Sequence, residues 1–238
     1  MSDTDLRGLE RRWRETGSVE DEAAWLHARV QAGELEQSRL RLAAYLLHEG
    51  ARLALVRPVP VLRKGQVAFL NSLFDMDKSQ ESGVRAVIAA ARRVEKSPAR
   101  SSLLGLDLAE QWCVAVDLEE RYRLGEEALG FSGWEGNENA SPEHRAAVFA
   151  ALSTSAETKA SLAIGSTKRY GAWHMRAVQS LSGALEAVLG PGRMRLSERP
   201  IPPILKEAIH GELVPWALGY SDPVRGRVEA RQGAAPSE

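Results

Sequence analysis

The stretch EDEAAWLHARVQAGELEQSRLRLAAYLLHEGARLAL, from Glu20 to Leu55, constrains the fold more than any other part of the chain. Apolar residues recur in it at steps of three and four, the spacing that places side chains on one face of an α-helix. Ala23, Leu26 and Val30 share one such face with Trp25 beside it, and Leu35, Leu42, Tyr45, Leu46 and Leu47 mark a second helix. Ser18 stands ahead of Val19-Glu20-Asp21-Glu22, an N-cap followed by acids in the first turn, where carboxylates favour the positive end of the helix dipole. Ala32-Gly33 stops the first helix and His48-Glu49-Gly50 breaks the next, leaving Ala51 to Leu55 as a short third. Short connections make sequential helices neighbours, so the stretch reads as an antiparallel helical hairpin plus a short element. The pattern is one of packing and asks for no chemistry.

The same reading extends in both directions. Leu6, Leu9 and Trp13 share a face in a first helix that Thr16-Gly17 ends. Val56-Arg57-Pro58-Val59-Pro60-Val61 excludes a helix interior because its prolines stand two apart. Helical patterning resumes over Gln66 to Met76, Gly83 to Val94, and Leu103 to Tyr122, with a candidate break near Asp117. GEEALGFSGWEGNENAS, from Gly125 to Ser141, reads mostly as a loop. Helices follow at Pro142 to Leu152 and Trp173 to Leu189, the latter stopped by Gly190-Pro191-Gly192. A proline-rich connector leads to a final helix from Ile204 to Gly211, and Pro215 is expected to kink or split that element before Trp216. From Asp222 onward the chain has little to bury and is expected to fray.

No segment sustains strand alternation. The fold class is therefore all-α: stacked antiparallel helix pairs forming an irregular α-solenoid. Arg85-Ala86-Val87, Arg145-Ala146-Ala147-Val148 and Arg176-Ala177-Val178 each open an Ala-rich helix, at intervals near one and two units of about 30 residues, the size of a helix-pair repeat. The expected division is a hairpin module over 1–57, a repeat-like domain over 58–219, and a frayed tail over 220–238.

The 238 residues suffice for a sizeable core without a disulfide or metal staple. Basic and acidic side chains number 31 and 32, which gives no global electrostatic case for nucleic acid or an anionic membrane. Arg85, Arg92, Arg93, Lys96 and Arg100 make a mild basic cluster that reads as a solvated helix face. Cys113 is the one cysteine; set in AEQWCVAV, it reads as a buried, inert thiol in a reducing compartment. MSDTDLRGLERRWRE has no apolar signal core, and no stretch approaches the roughly 18 apolar residues of a membrane span. A cytoplasmic protein without a membrane partner is expected.

Chemical motifs are sparse. His27, His48, His144, His174 and His210 form no i, i+4 pair, and HExxH and CxxC are absent. Gly165-Ser166-Thr167-Lys168 reverses the order of a phosphate-binding loop. Asp75 and Asp77 do not share a helix face. No catalytic residue, cofactor-binding residue, cofactor or metal ligand is therefore assigned. Trp13, Trp25, Trp112 and Trp173 sit inside helices as core or inter-helix wedges. Phe131 and Trp134 lie in the Gly-rich loop, either folded back on the helices or exposed as anchors for a partner, since Trp is enriched at interface hot spots. Together with Arg92 and Arg93 they are the candidate partner-binding residues.

Within Leu9 to Leu55, the segments Asp21 to Leu26, Gly33 to Leu35, Leu42 to Tyr45 and Ala51 to Leu55 resemble the opening of a group of uncharacterised bacterial HEAT- or TPR-like helical proteins. The resemblance covers about a fifth of the chain. It implies architecture and brings no catalytic residue. Pro58, Pro60 and the loop near Trp134 depart from a regular solenoid. The function expected on this basis is non-catalytic binding of another protein, as an adaptor, scaffold or regulator. The alternatives are a toxin-neutralising immunity-type inhibitor, an enzyme with a dispersed site using His144, His174 or Arg169, and a nucleic-acid-binding array with Arg85, Arg92, Arg93, Arg169 and Arg176 on one surface.

Overall fold

Helix α1 (Asp3–Thr16) carries acids in its first turn and pairs Arg7 with Asp3 and Arg14 with Glu10 across single turns. The computed structural model describes residues 3–57, 81–94, 100–129 and 201–233, with positions 68, 69, 72, 73 and 76. Among the described residues every regular element is an α-helix. None of these helices is long and apolar enough to cross a membrane. Phe131, Trp134, His144, His174, Arg169, Arg176, the proline pair at Pro58 and Pro60, and the helices expected over 142–152 and 173–189 lie outside the described residues.

The chain divides into two compact units. The first joins Met1–Leu62 with Leu213–Asp222, two stretches far apart in the sequence. In it α1 packs on α2 (Val19–Gln31), which packs on α4 (Glu49–Ala54), and α3 (Gln37–Tyr45) also packs on α4. Ser18 caps α2 as its pattern requires, its Oγ accepting from the Asp21 N–H at 3.1 Å. Leu26, Leu40, Leu42, Ala43 and Ala51 make the centre of this core. Between α3 and α4, Leu47 adopts a left-handed backbone (φ 70) and remains exposed. That conformation costs about 1–2 kcal/mol for a residue with a Cβ. Hydrogen bonds from Leu47 and His48 N–H to the Ala44 and Ala43 carbonyls close the turn around it. His48 then caps α4, its Nδ1 accepting from the Ala51 N–H.

The second unit spans Arg63–Glu212 and Pro223–Glu238. Its described helices are α5 (Glu81–Val94), α6 (Arg100–Val114), α7 (Leu118–Leu129), the start of α8 (Pro203–Leu218), and α9 (Pro223–Gly233). Helix α6 is central, packing against α5, α7 and α9 around Val87, Ile88, Ala109 and Trp112. Cys113 is buried beside Trp112 in sequence, as a small apolar group. The chain breaks before α7, where the Asp117 side chain accepts from the Glu119 N–H and its carbonyl takes the first helical bond from Arg121.

Helix α7 runs to Leu129 with Leu124 and Gly125 buried, so the stretch read mostly as a loop opens helically, and from position 130 it lies outside the described residues. Three expectations need correction. The last helix is not confined to Ile204–Gly211 and does not split at Pro215; α8 continues to Leu218. Proline removes one helical hydrogen bond, but Leu213, Val214, Trp216, Ala217 and Leu218 are all buried and hold the turn in place. The tail after Asp222 is not wholly frayed, since α9 buries Val224 and Val228 at an i, i+4 spacing. Arg85 does not belong to a solvated basic face; it is fully buried and donates to Glu81 at 2.9 Å.

Glu110 fastens α9 to α6. Its carboxylate is fully buried and meets Arg92 at 2.8 Å, Arg227 at 2.6 Å and Arg231 at 2.6 Å. Burial alone would raise its pKa, but the Arg92 hydrogen bond and the charges of Arg227 and Arg92 outweigh it, so the carboxyl lies below the ordinary range. A lowered carboxyl contributes stability that is present above the unfolded pKa of about 4.3 and is lost as pH falls through the folded value. Glu110→Gln is therefore expected to lower stability at neutral pH by about 2 kcal/mol and to flatten the acid loss seen below about pH 4, as read by denaturant titration at descending pH. Parallel acid limbs for the two proteins would contradict the pairing.

Candidate recognition cleft in the N-terminal unit

Three aromatic rings from distant positions stack in the first unit. Helical spacing sets Leu6 and Trp13 on one side of α1, and Trp25 and Arg29 one turn apart on α2. Tyr220 follows Gly219, whose positive φ of 69 turns the chain off the end of α8. The Trp13 and Trp25 centroids are 4.6 Å apart with planes 16° from parallel. Tyr220 lies 5.3 Å from Trp13 and 5.9 Å from Trp25, also nearly parallel to each. Each such contact adds about 0.5–1.5 kcal/mol beyond the area it buries.

Arg29 ties this stack to α8. Its guanidinium lies over the Trp25 ring at 4.8 Å, and its Nη1 donates to the Leu218 carbonyl at 2.6 Å. A cation at the last carbonyls of a helix is favoured by the dipole, so one side chain caps α8 and covers an indole. On the far side of Tyr220, the phenol donates to Glu22, a buried carboxylate. Burial and the Glu22 carboxylate push the phenol's ionisation well above the ordinary tyrosine range. His48 meets the Tyr220 ring edge-on, and its Nε2 stands 3.7 Å from Glu22. Because Nδ1 accepts from Ala51, a neutral His48 carries its proton on Nε2, facing that carboxylate.

At the entrance to α2, Thr16 Oγ donates to Asp21 at 2.7 Å and Arg12 stands 2.7 Å away. The Thr16 hydrogen bond, with Ser18 and Arg12 adding to it against burial, lowers the Asp21 pKa.

A cleft of about 470 Å³ opens beside the stack. Leu6, Trp13, Trp25 and Tyr220 supply its apolar surface; Arg7, Arg14 and Arg29, with Asp3, Glu10 and Glu34, supply its charged surface. Three cations and three anions leave no surplus charge for a polyanion. Trp13 is half-exposed beside the cleft, whereas Trp25 is buried beneath it. Glu22 and His48 do not line it; they hold Tyr220 from behind.

The residues singled out from sequence fall elsewhere. Arg92 is half-buried in the second unit against Glu110 and Asp107, and Arg93 is exposed beside it on α5. Among the described residues no group of three His, Cys, Asp or Glu side chains is placed to hold a metal ion. Trp13 and Trp25 were legible as helical aromatics. Tyr220, Arg29 and Glu22 were missed, and the Gly219-Tyr220 pair just past an apolar helix is the one local signal that pointed to a helix stop there. No family model, curated protein or solved structure matches this chain.

Gly50 is packed so closely on Glu22 that an added Cβ would collide with the carboxylate. Gly50→Ala is expected to displace Glu22 and cost about 1–3 kcal/mol, and Tyr220→Phe to cost about 1–3 kcal/mol by leaving the carboxylate short of a donor. Since both act on one hydrogen bond, the double variant should lose clearly less than the two single losses combined when unfolding is followed by denaturant titration. Full additivity would show that the two sites are uncoupled.

Proposed function

We propose that this protein is a non-catalytic protein-interaction module, an adaptor, scaffold or regulator, and that its partner engages the cleft beside Trp13, Trp25 and Tyr220. The observation that carries the reading is that open cleft walled by tryptophan, tyrosine and arginine. Those three residue types are the ones in which interface binding energy concentrates. Stacked rings present preformed contact area and lose little conformational entropy on binding. Buried Glu22 and half-buried His48 contact Tyr220 without lining the cleft, which favours recognition over chemistry.

The reading extends to architecture. The successive packing of α1 on α2, and of α5 on α6 and α6 on α7, supports an irregular stack of helix pairs of the HEAT or TPR kind. A reducing cytoplasm suits a chain whose one thiol, Cys113, is buried.

Parallel affinity captures with wild type and Trp13→Ala test the cleft. A hot-spot loss of about 2 kcal/mol corresponds to a roughly thirtyfold weaker complex, so the dominant protein recovered by the wild type should be nearly absent from the variant. Leu53→Asp, at an exposed position that does not line the cleft, should recover it fully. Equal recovery by a folded Trp13→Ala protein would contradict the reading.

A further inference from the structure

We infer that the cleft face of α1 pairs antiparallel with α1 of a second copy of this chain. This rests on the reading of the cleft as a protein-binding surface and names its occupant. Asp3, Arg7, Glu10 and Arg14 all line the cleft and alternate in sign along one stripe of the helix. A two-fold axis passing between the levels of Gly8 and Leu9 sets Asp3 of one copy against Arg14 of the other, and Arg7 against Glu10. Both contacts then occur twice, so the stripe is complementary to itself in the antiparallel sense and the contact is isologous and closed.

The same side chains are available for exchange. The Arg7 and Arg14 side chains are 74% and 70% exposed, and each makes one short contact, to Asp3 at 2.7 Å and to Glu10 at 2.6 Å. Isolated exposed pairs of this kind hold their partners weakly, whereas a network of several charges holds more firmly. Pairing converts two isolated pairs per copy into one ladder along a helix about 21 Å long. On the flank of the stripe, the same axis brings half-exposed Trp13 level with exposed Thr4 of the second copy. Like charges meet in the parallel arrangement, where Asp3 faces Asp3 and Arg7 faces Arg7, so orientation is selected as well as partner.

Sedimentation equilibrium on the full chain tests this with two complementary charge swaps. One carries Arg7→Glu with Arg14→Glu, and the other carries Asp3→Arg with Glu10→Arg. The wild type should approach twice its monomer mass as concentration rises at low salt. Its association constant should fall at least tenfold in about 1 M salt, where the screening length shrinks to about 3 Å. Each swapped protein alone should stay monomeric over the same range, and an equimolar mixture should recover the dimer. A mixture of two folded variants that remains monomeric overturns the inference, as does a variant that dimerises like the wild type. Should a swap unfold α1, the wild-type salt series still decides, because a monomer at low salt or a salt-independent dimer overturns it. A monomeric wild type that nonetheless captures another protein through Trp13 removes the second copy as occupant and leaves the recognition reading standing.

Discussion

The bond from Arg29 to the Leu218 carbonyl is the constraint on which the N-terminal unit depends. It spans 189 positions of sequence and brings the end of α8 to α2. The charge of the guanidinium meets the negative end of the α8 dipole while its face covers Trp25. Two further contacts repeat the same junction: Arg39 lies over Trp216 at 4.5 Å, and Tyr220 donates to Glu22. Closing so long a loop carries an entropic cost, although that cost grows slowly with length, and a cation–π contact, a charged hydrogen bond and a ring stack together offset it. The third ring of the cleft's aromatic surface depends on the junction, since Tyr220 comes from one side of it and Trp13 and Trp25 from the other.

Local rules placed much of the helical structure. Ser18 capping α2, the stop at Thr16-Gly17, and the break at Asp117 were all readable because each depends on residues within one turn. What was not readable depends on distant partners. Helix α9 has few apolar residues and looks like a tail; Arg227 and Arg231 fasten it to Glu110, more than a hundred positions away. Pro215 argues for a break by local chemistry, and burial of the surrounding turn overrides it. Arg85 differs: Glu81 stands only one turn earlier, and what a local reading misses is the full burial of Arg85 by the rest of its unit.

The candidate site divides in the same way. Trp13 and Trp25 were identifiable as helical aromatics, but nothing local says that they stack on one another or on Tyr220, whose hydrogen-bond partner Glu22 lies 198 positions away. Glu22 reads as a first-turn acid that favours the helix dipole; in the folded unit it is a buried acceptor that fixes the cleft wall. The chemistry of the site thus lies in tertiary contacts between residues that are unremarked in sequence, and its balanced charge follows from α1 pairing its own cations and anions at single-turn spacing.

The most direct measurement of the junction's role is amide hydrogen exchange at Gly219 and Tyr220, whose N–H groups bond to the Trp216 and Pro215 carbonyls. If Arg29 holds this turn, Arg29→Ala should speed exchange at both amides markedly while the amides of α6, in the other unit, keep their wild-type protection. Unchanged protection at Gly219 and Tyr220 in the folded variant would show that the turn stands without Arg29, and would contradict its role as the side chain that joins the two ends of the chain.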